Sequence, residues 1–179
     1  MNAAPRAPDD FVPLIVYKGE GEVEWRGRGK GRDSQFPPII ERPENCLRDV
    51  LIVENDPDVA MVLREIIELE SGLRVTDVVS DLAGTLAAIE MHRPQLALID
   101  IHLGGYATGI EIAARMHELG IPTLFSTGNP LPFPVPELAL GCLCKPYTCY
   151  SVAQSLRIAE QILRGDPIGH DVPLELELY

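Results

Sequence analysis

The sequence predicts a doubly wound α/β domain in which helices cover both faces of a five-stranded parallel sheet. Short, continuous apolar runs alternate along the chain with longer segments whose apolar residues recur at helical spacing. Apolar residues make up 46% of the 179 residues, enough to fill a core, and the aromatic content of only 6% makes that core aliphatic. Strands that alternate with helices connect through right-handed crossovers and give a parallel sheet buried on both faces.

The first strand and helix show this pattern clearly. Residues 49 to 54 read DVLIVE, an apolar run that suits a strand buried on both faces. Asp56 and Pro57 follow as the cap and first turn of a helix, because Asp accepts hydrogen bonds from unpaired N–H groups and Pro needs no partner there. Apolar residues at helical spacing then extend to Ser71 and Gly72, which predict the end of the helix.

The same alternation continues towards residue 165. It predicts further strands at residues 74–80, 95–100, 122–126 and 141–144, and further helices at residues 82–91, 110–119 and 148–163. Thr148 is the expected cap of the last helix, and Gly165 follows its end. Residues 130–136, PLPFPVP, interrupt the pattern, because each proline inside a helix costs about 3 kcal/mol. We therefore predict an irregular or shortened fourth helix, with at most one turn near residues 137–140.

Composition divides the chain into three parts. Residues 1–46 contain six prolines and one short apolar run, residues 11–17, so they are expected to form an N-terminal extension that is flexible or loosely packed. The run at residues 11–17 is either a strand added to a neighbour or nothing stable. Residues 47–165 are expected to form the domain, and residues 166–179 an acidic C-terminal tail. Since so little chain follows the last helix, we expect no output domain.

The net charge of −12 limits the possible partners. Residues 47–165 carry 8 Lys or Arg against 15 Asp or Glu, which argues against binding to a phosphate backbone and suits a domain that collects a cation. The basic run RGRGKGR at residues 26–32 is interpreted as a solvated segment, so no nucleic-acid partner is expected. No stretch approaches 18 apolar residues and no secretory signal is present, which predicts a cytoplasmic protein without a membrane partner. The four cysteines lack a zinc-binding pattern and are interpreted as reduced thiols.

Polar residues capable of phosphoryl chemistry follow four of the predicted strands. They are Glu54-Asn55-Asp56 after the first strand, Asp100 after the third, Thr127 after the fourth and Lys145 after the fifth. The carboxyl ends of parallel strands meet at one edge of the sheet, where ligands bind. Carboxylate and carbonyl oxygens suit Mg²⁺, a carboxylate can attack phosphorus, and an ammonium and a hydroxyl can stabilise phosphoryl oxygens. The sequence therefore predicts a phosphoryl-accepting site.

With these motifs in place, residues 49 to about 164 resemble a response-regulator receiver domain of two-component systems. The resemblance implies a flavodoxin-like sheet of order 2-1-3-4-5, with Asp100 as the phosphorylated residue. It implies that Thr127 is the switch hydroxyl and that Lys145, followed by a cis bond to Pro146, pairs with the phosphate. It also implies a Mg²⁺ (or Mn²⁺) site formed by Glu54, Asn55, Asp100 and the backbone carbonyl of His102.

A narrower resemblance rests on two segments. PTLFSTGN at residues 122–129 and LIDIHLGG at residues 98–105 are similar to a receiver subgroup, frequent in alphaproteobacteria, with a Phe-Ala-Thr-x-Gly-Tyr motif. Several members of this subgroup are free-standing receivers that act with histidine kinases of the general stress response. In this chain Ser126 replaces Ala, and Asn129 stands in the Gly-Tyr region.

Two positions depart from the receiver pattern. Asn55 stands where receivers offer a second carboxylate, which predicts weakened metal affinity that Asp56 partly offsets. Cys142 stands where many receivers have a rotating aromatic ring, so we expect any switch to act through residues 125–140. The four histidines, 92, 102, 117 and 170, are interpreted as surface residues with no phospho-accepting role.

The leading hypothesis is a signalling protein, not an enzyme beyond Mg²⁺-dependent autophosphorylation and autodephosphorylation. It would take a phosphoryl group on Asp100 from a histidine kinase or histidine phosphotransfer protein and signal by contact with an unidentified downstream protein, and a homodimer is left open. The alternative is a pseudo-receiver that acts as an interaction module without phosphorylation. A haloacid-dehalogenase phosphatase needs an Asp-x-Asp pair after the first strand, and a flavodoxin needs a phosphate-binding loop there. Glu54-Asn55-Asp56 fits neither.

Overall fold

A computed structural model describes residues 13–17, 23–27, 46–104 and 108–179. The chain divides into two compact units, Met1–Glu44 and Asn45–Tyr179. In the first unit, strands β1 (Pro13–Tyr17) and β2 (Val23–Gly27) pair antiparallel, so most of the apolar run at residues 11–17 forms a strand. Residues 28–32 of the basic run lie outside the described residues.

The second unit alternates strands and helices as predicted, with boundaries within one or two residues of the expected ones. Its elements are β3 (Asp49–Val53), α1 (Pro57–Leu69), β4 (Arg74–Val79), α2 (Leu82–Met91), β5 (Leu96–Asp100), α3 (Gly109–Glu118), β6 (Thr123–Thr127), β7 (Gly141–Cys144), α4 (Cys149–Arg164) and β8 (Leu176–Leu178). The cap residues follow the sequence signals: the Asp56 carboxylate accepts from two N–H groups of α1, and Thr148 forms a capping box on α4.

The sheet order confirms the predicted flavodoxin-like topology. The strands lie in the order β4-β3-β5-β6-β7-β8, and the first five run parallel, which is the predicted order 2-1-3-4-5. Between β6 and β7, residues 128–140 contain a single turn, in which Leu138 and Ala139 donate to the Val135 carbonyl. Residues 128–140 therefore contain no helix between β6 and β7, and the predicted irregular segment is confirmed.

Strand β8 was not predicted, and it extends the sheet beyond five strands. It pairs antiparallel with β7 within the stretch expected to be an acidic tail, and Leu176 is 7% exposed in the core. Gly141 permits this pairing, because a Cβ at residue 141 would lie 2.3 Å from the Glu177 carbonyl oxygen. A strand of three residues gives too short a pattern to recognise in sequence.

The core is aliphatic on both faces of the sheet, as the composition predicts. One cluster packs α1 and α4 against the sheet through residues such as Leu63, Ile67 and Leu156. The other packs α3 through residues such as Ile112 and Met116. All five residues of β5 and of β6 are buried, so both strands hold their ends rigidly. Within the described residues, no helix has the length and apolarity needed to cross a membrane.

Candidate functional site

The carboxyl ends of the parallel strands bring Glu54, Asp100 and Lys145 together. Asp100 is the last residue of β5, Glu54 directly follows β3, and Lys145 directly follows β7. The Lys145 Nζ lies 2.8 Å from the Glu54 Oε2 and 2.9 Å from the Asp100 Oδ2. Three residues distant in sequence thus form one cluster, with the lysine ammonium bridging two carboxylates.

Both carboxylates are nearly buried, and every one of their oxygens has a donor. Glu54 is 3% exposed and Asp100 is 7% exposed. The Glu54 Oε1 accepts from the Asp56 backbone N–H at 3.1 Å, and the Asp100 Oδ1 accepts from the His102 N–H at 3.0 Å. Burying an unpaired carboxylate costs several kcal/mol, so the cluster depends on the lysine.

The charge of Lys145 is stabilised by its two partners. Burial lowers the pKa of the ammonium, but the hydrogen bonds to Glu54 and Asp100 outweigh burial and leave the pKa raised above its usual 10.5. The lysine is therefore fully charged at neutral pH. The peptide bond from Lys145 to Pro146 is cis, as the resemblance to receivers implied.

Thr127 lies at the adjacent strand end, with its side chain fully buried. Its Oγ1 is 2.9 Å from the His102 Nδ1 and accepts from the Asn129 N–H at 3.2 Å. The Thr127 carbonyl accepts from the Lys145 N–H at 2.8 Å, which ties the hydroxyl residue to the lysine loop. The structure thus places a hydroxyl, a lysine and two carboxylates at one edge of the sheet.

The second unit is similar to known receiver domains in sequence and in fold. Residues 50–133 match the response regulator receiver domain. A receiver domain protein from Methanospirillum hungatei JF-1 superposes with a TM-score of 0.60 at 25% identity, over 66% of this chain and 98% of that one. The signal receiver domain of a modulated diguanylate cyclase from Desulfovibrio desulfuricans G20 gives 0.57 at 28% identity, over 66% and 97%. Residues 50–133 are thus similar in sequence to response-regulator receiver domains, and residues 45–179 have the receiver fold.

Two longer proteins share this domain. The response regulator PhyR from Brucella abortus superposes with a TM-score of 0.55 at 25% identity, over 66% of this chain and 49% of that chain. Protein-glutamate methylesterase/protein-glutamine glutaminase 3 of Hahella chejuensis (strain KCTC 2396) is 39% identical over 82 residues, 45% of this chain. The chain spans only 23% of the length of that curated relative.

Asn55 stands where the resemblance to receivers implies the second residue of an acidic pair. Asn55 is exposed, and its Nδ2 lies 3.2 Å from the point where a Cβ on Gly104 would be. The side chain therefore reaches the loop that follows β5 and carries His102. The Asp56 carboxylate instead accepts from the N–H groups of Asp58 and Val59 at 3.0 and 3.3 Å, so it caps α1.

The donor set fits a hard divalent cation with few protein ligands. Carboxylates of Glu54 and Asp100, the Asn55 amide and the His102 carbonyl are all oxygen donors on adjoining loops, the ligand type that Mg²⁺ prefers. Among residues 46–104 and 108–179, no three His, Cys, Asp or Glu side chains form a metal-binding group. Mg²⁺ held by these four donors would keep waters in its remaining coordination positions, as it commonly does.

Gly109 sets the position of the Asp100 loop, a role that sequence reasoning missed. A Cβ at residue 109 would lie 2.0 Å from the Asp100 carbonyl oxygen, and the Gly109 N–H donates to the Ile101 carbonyl at 3.1 Å. We expect Gly109→Ala to lower the free energy of unfolding by about 1–3 kcal/mol, because backbone must move. Urea denaturation measures this. Gly128→Ala is the matched control, since no atom lies within 4 Å of its Cβ; equal losses for both variants would contradict this role.

Residue 142 has an aromatic neighbour that the sequence did not reveal. Cys142 is fully buried, and burial raises the pKa of its thiol to about 12. Tyr179, which directly follows β8, packs into the same cluster as Cys142 and as Leu131, Val135 and Leu138 of the proline-rich segment. The pairing of β8 with β7 brings this ring into the cluster.

Proposed function

We propose that this receiver domain accepts a phosphoryl group on Asp100 in two-component phosphorelay signalling. The donor is a phosphohistidine of a histidine kinase or of a histidine phosphotransfer protein. The proposal rests on one observation above all: Lys145 bridges the Asp100 and Glu54 carboxylates at 2.9 and 2.8 Å. Two carboxylates and a lysine in this arrangement provide a nucleophile, a cation site and a stabilising charge.

Each residue has a distinct part in the transfer. An Asp100 carboxylate oxygen attacks phosphorus as the bond from phosphorus to the histidine nitrogen breaks. The electron pair of that bond stays on the imidazole nitrogen, which takes up a proton from water, and Asp100 becomes an acyl phosphate. Lys145 releases Asp100 and donates to a phosphoryl oxygen, and the Thr127 hydroxyl donates to another.

Glu54, Asn55, Asp100 and the His102 carbonyl are the residues that would hold Mg²⁺ or Mn²⁺. A bound divalent cation would neutralise phosphoryl charge next to two carboxylates. The carboxylates supply formal charge and Asn55 supplies only a dipole, so we infer weaker metal affinity than an acidic pair would give. The Asp56 carboxylate caps α1, which argues against the expectation that it offsets the metal affinity lost at Asn55.

The signal leaves the domain through protein contacts. Residues 46–104 and 108–179 contain the receiver and no output domain. Thr127 accepts a hydrogen bond from Asn129, which lies at the start of the irregular segment. We propose that residues 125–140 respond to phosphorylation and that the domain is a cytoplasmic receiver of the Phe-Ala-Thr-x-Gly-Tyr type. Its downstream partner is a protein.

Acetyl phosphate tests the proposal without a cognate kinase. Protein containing residues 1–179, incubated with acetyl phosphate and Mg²⁺, should gain the mass of one phosphoryl group, and EDTA should prevent the gain. A folded sample that gains no mass and binds no beryllofluoride would instead support the pseudo-receiver. Asn55 favours that second candidate, since it removes one of the carboxylates at the cation site.

Restoring the missing carboxylate should strengthen metal binding. We expect Asn55→Asp to raise Mg²⁺ affinity about 10-fold, because one added charge near a partly exposed site contributes about 1–2 kcal/mol. Isothermal titration of Mg²⁺ measures the change. Asp56→Asn is the matched control: it removes a carboxylate but keeps a residue that caps helices, and it should change affinity less than about threefold. Equal affinities for wild type and Asn55→Asp would refute this account of Asn55.

A further inference from the structure

We propose that the His102 side chain is a positioning residue that holds the Thr127 hydroxyl in place for phosphoryl transfer to Asp100. This inference rests on the proposed function and deepens it. It concerns the imidazole of His102, whereas the metal site uses only the backbone carbonyl of that residue.

The Thr127 hydroxyl is held from two sides. The His102 Nδ1 lies 2.9 Å from the Thr127 Oγ1, and the Asn129 N–H donates to the same oxygen at 3.2 Å. In the tautomer that carries its proton on Nδ1, the imidazole donates to the Thr127 Oγ1 and leaves the single hydroxyl proton free for a phosphoryl oxygen. His102 is exposed as a residue, so packing around its ring does not force this contact.

The same residue is also bonded to the acceptor. The His102 backbone N–H donates to the Asp100 Oδ1 at 3.0 Å, while its ring contacts Thr127. His102 lies on the loop that follows β5 and contacts Thr127, the last residue of β6, so it links the ends of the two strands. Phosphorylation of Asp100 changes the hydrogen bonds of its carboxylate, including the bond from the His102 N–H. It therefore acts on the same residue whose ring holds the Thr127 hydroxyl.

The contact matters because the hydroxyl must point at a developing phosphoryl group. A threonine side chain has more than one accessible χ1 rotamer, and a fixed donor costs no reorganisation when the reaction occurs. At residue 142 the chain has Cys, so a ring at that position cannot restrain Thr127. His102 supplies a restraint from the loop that carries the acceptor.

Two substitutions of His102 separate this role from general effects of the position. Asn places a polar nitrogen where Nδ1 lies, whereas Gln places one where Nε2 lies and cannot reach Thr127 in the same way. Each is made in wild type and in Thr127→Val, which removes the hydroxyl and keeps the shape. The rate constant and KM for phosphorylation by acetyl phosphate with Mg²⁺ are measured by intact mass.

We expect His102→Gln to lower the maximal rate about 2- to 10-fold with little change in KM, the effect of losing one hydrogen bond. His102→Asn should stay within about twofold of wild type. In the Thr127→Val background, both His102 variants should be phosphorylated at the same rate as each other and as the Thr127→Val protein itself. Equal rates for Gln and Asn in the wild-type background would overturn the proposal, as would a Gln effect that persists in Thr127→Val. Absence of phosphorylation in wild type would instead refute the proposed function, and the positioning role with it.

Discussion

Asp100→Asn should abolish phosphorylation by acetyl phosphate while leaving the receiver folded. The amide is a poor nucleophile, and no acyl phosphate can form on it. The fold should survive because the amide oxygen still accepts from the His102 N–H and Lys145 keeps its bond to Glu54. We expect the free energy of unfolding to stay within about 1 kcal/mol of wild type.

Intact mass and urea denaturation measure these two effects in the same samples. Asp77→Asn is the matched control, because it makes the same chemical change at an exposed residue of β4. The control should be phosphorylated like wild type. Phosphorylation of Asp100→Asn at the wild-type level would remove Asp100 from the role of acceptor.

Lys145→Met should reduce both phosphorylation and stability. Methionine keeps much of the side-chain volume but leaves two nearly buried carboxylates without the cation that joins them. We expect the rate of phosphorylation to fall about 100-fold or more, the cost of removing one preorganised donor from a transition state. The free energy of unfolding should fall by about 1–3 kcal/mol, a range reduced for the partial exposure of the lysine.

Two companion variants isolate the charge. Lys145→Arg keeps it and should lose less stability, whereas Glu54→Gln combined with Lys145→Met should recover part of the loss by removing one stranded carboxylate. Because the pKa of the ammonium is raised above 10.5, the stabilisation is complete at neutral pH and disappears as pH rises through that raised value. Unchanged stability of Lys145→Met at pH 7 would contradict the pairing.

The strand ends could be predicted from the sequence because buried strands and helices have different apolar patterns, continuous runs in strands and helical spacing in helices. Continuous apolar runs locate the buried strands, and the polar residue after each run then lies at one edge of a parallel sheet. The sequence pattern alone therefore places Glu54, Asp100, Thr127 and Lys145 at one edge of the sheet. The irregular conformation of the proline-rich segment was also predictable, because proline has no N–H to donate to the hydrogen bonds of a helix.

Contacts between distant side chains were not readable in this way. The bond from His102 to Thr127 joins residues on different loops, and an exposed histidine gives no periodic signal. Strand β8 is three residues long, and its place depends on the missing Cβ of Gly141. Tyr179 reaches Cys142 only because that strand pairs. Such features arise from tertiary geometry, which local patterns do not encode.

Locating the acyl phosphate by peptide mapping tests the central claim most directly. Wild-type protein is treated with acetyl phosphate and Mg²⁺ and then with borohydride, which reduces an aspartyl phosphate to a stable alcohol. Digestion and tandem mass spectrometry should then find the reduced residue at Asp100 alone. Reduction at another carboxylate, with Asp100 unmodified in phosphorylated protein, would contradict the proposal that Asp100 is the acceptor.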